Sequence, residues 1–247
     1  MNRVIKTTTL LLSTLFVLNV SAQTSPIAEQ PISNDSLFEN GFVDLPPNMI
    51  VETDQKHKVV RYFIDFSCIY CRKLRSVMDT WGNTLSRGYK LVYHHVGDMQ
   101  SPYYFLQSAA LTYVMNSDIT YGKKQQYIEL MFTHTTQVKT NKELVRLIKE
   151  ATATVGVNPS EVAKYIMSEE ATVDYTAAVD LQNQVSINLT PSILIAGRYL
   201  THLGMTDGSP ERWIELINKV TSIDIYSRNN TLTNIPNPLL QGLPTKD

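Results

Sequence analysis

Cys68 and Cys71 are the whole cysteine content of a 247-residue chain, and they stand in a C-x-x-C pattern, Cys68-Ile69-Tyr70-Cys71. Two thiols at that spacing suit reversible sulfur chemistry. One thiolate attacks a disulfide, and the other resolves the mixed disulfide or closes a disulfide with the first. As a structural staple the pair closes almost no loop, so it would stabilise very little. A structural zinc centre needs two further ligands. His57, His94 and His95 do not supply them at paired spacing, because neighbours on a strand point to opposite faces. Redox exchange is therefore the expected chemistry and no metal is expected; the bland alternative is an inert short-range disulfide.

A thiolate needs a position that stabilises it, and the flanking sequence provides one. Lys58 to Phe66 (KVVRYFIDF) is dense in β-branched and aromatic residues, as a buried strand requires. After Phe66 the apolar residues Leu74, Val77, Met78 and Trp81 recur at helical spacing, predicting a helix from near Cys68 to near Gly82. The N-terminus of that helix offers unpaired N–H groups and the positive end of its dipole to Cys68. Cys68 is thus the expected nucleophile, exposed. Cys71, one turn along the same face, is the expected resolving residue, more buried.

The remaining elements follow from periodicity and punctuation. Met49-Ile50-Val51 reads as a first short strand and Tyr89 to Val96 as a later one. A helical stretch runs from Ser101 to about Val185, with Tyr103–Met115 and Lys124–His134 as its first helices. Thr140 and Glu143 form a capping box for the next, which Gly156 ends, and Asn158-Pro159 starts another. Ser192 to Ala196, the turn Gly197-Arg198 and Tyr199-Leu200 read as a strand pair. Ser209-Pro210-Glu211 opens a last helix carrying Trp213, Leu216, Ile217 and Val220 on one face. The order implies an α/β fold: one sheet with helices on both faces and a helical subdomain at about 100–186, too long for a single crossover.

Composition bounds the function class. Hydrophobic residues are 43% and charged residues 18%, which suits a globular core and excludes wholesale disorder. A net charge of −1 gives no basic field, so no nucleic-acid partner is expected. Residues 1–22 read as an export signal: Arg3 and Lys6 precede an apolar stretch from Leu10 to Val20, and Val20-Ser21-Ala22 suits cleavage after Ala22. The expected organisation is completed by a Pro-rich arm at 23–48, one domain at 49–226 and a loose tail at 227–247. The processed chain is expected to be exported and soluble.

In these features the chain resembles the thioredoxin-like superfamily and, within it, the bacterial DsbA-type thiol:disulfide oxidoreductases. The resemblance is carried by F-I-D-F-S-C-I-Y-C (Phe63 to Cys71), by L-T-P-S-I-L-I-A-G-R-Y (Leu189 to Tyr199) and by the helical block between them, over roughly residues 58–220. It implies a thioredoxin-like fold with a central sheet and a large helical insertion. It also implies a cis-proline loop at Thr190-Pro191 facing the cysteines, where Thr190, Pro191, Ile69 and Tyr70 bind substrate. By the same resemblance the protein works without a cofactor beyond a Cys68–Cys71 disulfide. It would be a periplasmic monomer, exchanging disulfides with exported cysteine-containing proteins and electrons with a membrane redox partner.

The chain departs from that pattern between the cysteines. DsbA-type oxidases usually carry Pro-His there; Ile69-Tyr70 brings a neutral phenol and no positive charge. The run F-x-D-x-S-C-x-Y-C-R-K-L, and Thr before the proline, are closer to DsbC-type isomerases. Residues 23–57, however, are too few and too Pro-rich for the N-terminal domain through which those enzymes dimerise. An isomerase or reductase is thus one alternative, and a thioredoxin-fold chaperone or assembly factor of a secretion or surface machine is another. Asp65 is expected to favour the helix start rather than relay protons, and His94 and His95 to be structural or surface residues.

Overall fold

The computed structural model describes residues 41–85 and 88–231. The expected export signal, most of the arm and the end of the tail lie outside these residues. The framework is a five-stranded sheet in the order β1-β5-β4-β2-β3: β1 Val43–Asp44, β2 Val59–Ile64, β3 Lys90–His95, β4 Ser192–Ile195 and β5 Tyr199–His202. β2 pairs in parallel with β3 and antiparallel with β4, placing Phe63 opposite both His94 and Ser192. This central position explains the near-continuous apolar run of β2, buried everywhere except Arg61.

Strand alternation divides the interior in two. Tyr62 and Ile64 of β2 with Ile193 and Ile195 of β4 face the larger core, whereas Phe63 and Leu194 face a smaller one with Leu45, Val51, Val185 and Ile187. Helix α2 (Ile69–Gly82) buries Cys71, Leu74, Met78 and Trp81 in the larger core. Val77 lies off that face and is exposed, contrary to the sequence pattern. A final helix, α8 (Pro210–Thr231), packs Trp213, Ile217 and Val220 on the same side. Between β3 and β4 lie α3 (Pro102–Asn116), α4 (Tyr121–His134), α5 (Asn141–Thr154), α6 (Pro159–Ile166) and α7 (Glu169–Gln184). Side chains of Thr120, Thr140, Asn158 and Ser168 cap the last four of these, and Thr140 with Glu143 makes the full capping box.

Three expectations are corrected at the edges. Residues 49–51 are not a strand. A 3₁₀ turn at Pro47–Met49 leads into helix α1 (Glu52–His57), whose acids come first and whose bases come last, as the helix dipole prefers. The Val51 N–H instead reaches Gly197 O in the β4–β5 turn at 2.9 Å. Gly197 has φ +68°, and a Cβ there would sit 2.1 Å from Val51 O, so this crossing demands glycine. The first strand falls within the expected arm, where Asp44 of β1 holds Arg198 through two bonds of 2.7 Å. Lastly, α8 continues through Thr231, because no helix breaker intervenes before Pro236. No helix among the described residues is long and apolar enough to cross a membrane.

Candidate active site

The turn between β2 and α2 is built by Asp65. One carboxylate oxygen accepts from both the N–H and the hydroxyl of Ser67 at 2.7 Å, and the other accepts from the Tyr104 hydroxyl at 3.2 Å. The Cys68 N–H donates to Asp65 O at 2.9 Å. Asp65 therefore aims the cysteine and supports the helix start, the local role its position suggested. Cys68 is the N-cap of α2, and its sulfur accepts from the Cys71 N–H at 3.4 Å. The expected thiolate stabilisation by a helix N-terminus thus has a named donor.

The two thiols are free, Cys68 half-buried and Cys71 fully buried. Their acidities are driven apart. A hydrogen bond with Cys71 lowers the Cys68 thiol to about 6; burial opposes this, while the Thr190 side chain and the backbone of Cys71 and Tyr70 reinforce it. Burial, foremost, pushes the Cys71 thiol far up, and its bond to Cys68 adds to the rise. The outer sulfur is a thiolate at neutral pH and the inner one keeps its proton.

Thr190 and Pro191 come to Cys68 from the start of β4, joined by a cis peptide bond. Cys68 Sγ lies 3.3 Å from Thr190 O, which accepts from it only in the protonated, thiol form. The loop is tied down by Ser192 Oγ, which donates to Leu189 O at 2.7 Å, and by the Leu203 N–H, which donates to Pro191 O. Ile69 and Tyr70, which follow Cys68, and Leu189, which precedes Thr190, are 59%, 53% and 52% exposed. Lys73 sits 6.0 Å from the Tyr70 ring centre. A mostly apolar cavity of about 260 Å³ opens on one side of Thr190, beside Tyr70, Pro191, His202 and Leu203. A more polar one of about 320 Å³, beside Asp65, Asp98, Tyr104 and Gln182, opens on the other.

The structure thus brings together Cys68, Cys71, Ile69, Tyr70, Thr190 and Pro191. It places His94 and His95 in the interior on opposite faces of β3, His94 against the Phe63 ring and His95 against Phe66 and Tyr104. Sequence reasoning passed over Tyr104, Leu189 and His202. Of these only Leu189, an apolar residue beside Thr190-Pro191, carried a local signal. No group of three or more His, Cys, Asp or Glu side chains suited to a metal ion occurs among the described residues.

No protein-family model matches the chain, and no curated protein matches its sequence. Solved structures do match. DsbA of Pseudomonas aeruginosa superposes with a TM-score of 0.63 at 14% identity, covering 80% of this chain and 98% of that one. The oxidoreductase NmDsbA1 from N. meningitidis gives 0.61 at 15%, covering 77% and 94%. SrgA of Salmonella enterica serovar Typhimurium gives 0.57 at 18%, covering 73% and 98%. The chain has the thioredoxin-like fold with a large helical insertion that these proteins share.

Proposed function

We propose that this protein is a DsbA-like thiol:disulfide oxidoreductase that exchanges disulfides with cysteine-containing exported proteins in the periplasm. One observation carries the reading: a half-exposed Cys68 at a helix N-terminus, held low in pKa, with Cys71 buried behind it and cis Thr190-Pro191 in front. Pro191 leaves an edge of backbone at Thr190, beside which an extended substrate pairs as an added strand. In the oxidising direction a substrate thiolate attacks Cys68 of the Cys68–Cys71 disulfide, and Cys71 leaves and takes up a proton. The substrate's second thiolate then attacks the mixed disulfide and releases Cys68. A membrane redox partner restores the disulfide. Ile69, Tyr70 and Leu189 supply apolar contact for unfolded chains, and the protein acts as a monomer.

The strength of the couple follows from the same groups. The Cys68 thiolate is stabilised by neutral donors only, since no histidine stands between the cysteines. We place the potential below that of the strongly oxidising DsbA couple, about −120 mV, and above about −180 mV. Equilibration with glutathione, followed by Trp81 fluorescence, measures it. A value near −120 mV marks a strong disulfide donor, and one near −180 mV or lower marks an isomerase or reductase. If Cys68→Ser leaves the biological role intact, the protein is an assembly factor instead and the proposal fails.

A further inference from the structure

Thr190, whose carbonyl faces Cys68, lines two cavities of opposite character. The 260 Å³ one carries no carboxylate, whereas the 320 Å³ one is bounded by Asp65, Asp98, Tyr104 and Gln182, with Leu189 as apolar wall. No lysine or arginine lines this second cavity, and none pairs with either carboxylate among the described residues. His95, close enough to Asp65 to feel its charge, is held by burial to about 4, so it is uncharged at neutral pH and offsets nothing. The Asp98 backbone is fixed from α7. Tyr175 Oη accepts from the Asp98 N–H at 2.9 Å and donates to the Asp98 carbonyl at 2.8 Å, while Gln182 accepts from the Gly97 N–H at 2.7 Å and donates to the Gly97 carbonyl at 3.3 Å. Gly97 permits that approach, since a Cβ there would sit 2.5 Å from Val179 Cγ2. One Asp98 oxygen accepts from the Gln100 N–H at 2.9 Å, and the side chain is exposed. A rigidly held negative charge thus faces a space that adjoins the residue in front of Cys68.

We infer that this cavity selects substrates by charge, taking a lysine or arginine side chain that lies within two residues of the substrate cysteine, with Asp98 as the residue that decides the preference. This rests on the thiol–disulfide reading above. The substrate's sulfur bonds to Cys68 while its backbone runs beside Thr190, which itself lines the cavity. An extended chain advances about 3.3 Å per residue, and the flexible four-carbon stem of lysine covers the remaining reach. The stem packs along Leu189 and leaves the cationic head at the carboxylates. A side-chain cation suits this donor set better than a metal ion. Both Asp65 oxygens already accept from Ser67 or Tyr104, so what remains there is negative field rather than a coordination shell. The cavity across Thr190 has no such field, so a basic residue is favoured on one side of the substrate cysteine only.

The test uses the full protein in its disulfide form and cysteine peptides that carry Lys, Gln or Glu at one of the two positions on either side of the cysteine. Single-turnover rates are read from Trp81 fluorescence. Each is divided by the rate of the same peptide with 2-hydroxyethyl disulfide, a neutral reagent, which removes the effect of the added charge on the peptide's own thiol. At low ionic strength at least one position should favour Lys over Gln by about 2- to 5-fold and disfavour Glu, and the preference should fade in about 0.5 M salt. Asp98→Asn, which keeps an oxygen for the Gln100 N–H, should bring the ratio of Lys to Gln rates toward unity. Asp98→Lys should turn the preference toward Glu peptides, a gain that a damaged fold does not produce. A wild-type ratio of unity at every position, or a lysine preference that survives both substitutions, would overturn the inference while the oxidoreductase reading stands. If wild type exchanges with none of the peptides, the parent reading falls and this one falls with it.

Discussion

The backbone N–H of Cys71 donates to the sulfur of Cys68 at 3.4 Å, so the residue that must later attack is also the one that keeps its partner ionised. One turn of helix separates a half-buried thiolate from a fully buried thiol. The outer sulfur can be attacked or attack at neutral pH, whereas the inner one acts only when it loses a proton inside the core.

This division of labour predicts different products from the two serine variants. Cys68→Ser abolishes exchange with reduced, unfolded protein substrates. Cys71→Ser retains attack by the Cys68 thiolate on a disulfide-bonded substrate, whose other sulfur leaves as a thiolate, and accumulates mixed disulfides, which non-reducing electrophoresis and mass spectrometry detect. A Cys71→Ser variant that traps nothing while Cys68→Ser traps substrate would reverse the assigned roles.

In the reduced protein, alkylation at Cys68 should rise with pH to a midpoint near 6, while Cys71 resists alkylation through pH 9. The linkage sign follows. The unfolded thiol ionises near 8.5, so between about 6 and 8.5 the unfolded chain binds more protons at this site. The contribution of Cys68 to reduced-state stability is therefore present above about 8.5 and lost as pH falls through 6. Denaturation of the reduced protein against Cys68→Ser, across pH 5 to 9, measures the difference.

His94 and His95 predict acid sensitivity unrelated to the thiols. Burial, chiefly, lowers His94 to about 3 and His95 to about 4, with Asp65 partly opposing the shift at His95. Unfolded imidazoles ionise near 6.5. The fold is thus fully supported above that value and loses on the order of 1–3 kcal/mol per histidine as pH falls toward the folded pKa values. Urea midpoints between pH 7 and 4.5 should fall steeply for wild type and less steeply for His94→Phe. Parallel curves would count against the assignment.

Gly197→Ala should destabilise the protein by about 2–4 kcal/mol, because the methyl group would collide with Val51 O and the residue would be held at positive φ. The loss should appear in chemical denaturation of both redox forms. A loss under 1 kcal/mol would mean that the crossing of residues 45–51 over the turn moves easily aside.

The site was legible where its signals were local. Cys68 and Cys71 carry their chemistry in their spacing, the strand before them and the helix after them are written in adjacent periodicities, and Thr140 with Glu143 announces its own cap. Thr190-Pro191 was found through a family pattern, since nothing within ten residues of it names the cysteines it faces. The misread parts depend on distant chain. Val51 has an extended backbone but its N–H goes to Gly197 O and its carbonyl accepts from Gln55, so residues 49–51 lead into a helix instead of joining the sheet. His202 carried no local signal, because only β4–β5 pairing and the cis-proline loop give it a shared cavity with Tyr70.

The helical insertion lies between Cys68 and the loop that faces it, which sets an order of events as the chain is made. Both cysteines emerge before any of α3 to α7, and β4 comes only after all five. Until β4 docks against β2, the nascent protein has its sulfur pair without the Thr190 backbone that faces Cys68 in the folded chain. Its own cysteines thus stand unguarded through most of synthesis, and a chain with only two of them has no wrong pairing of its own to make.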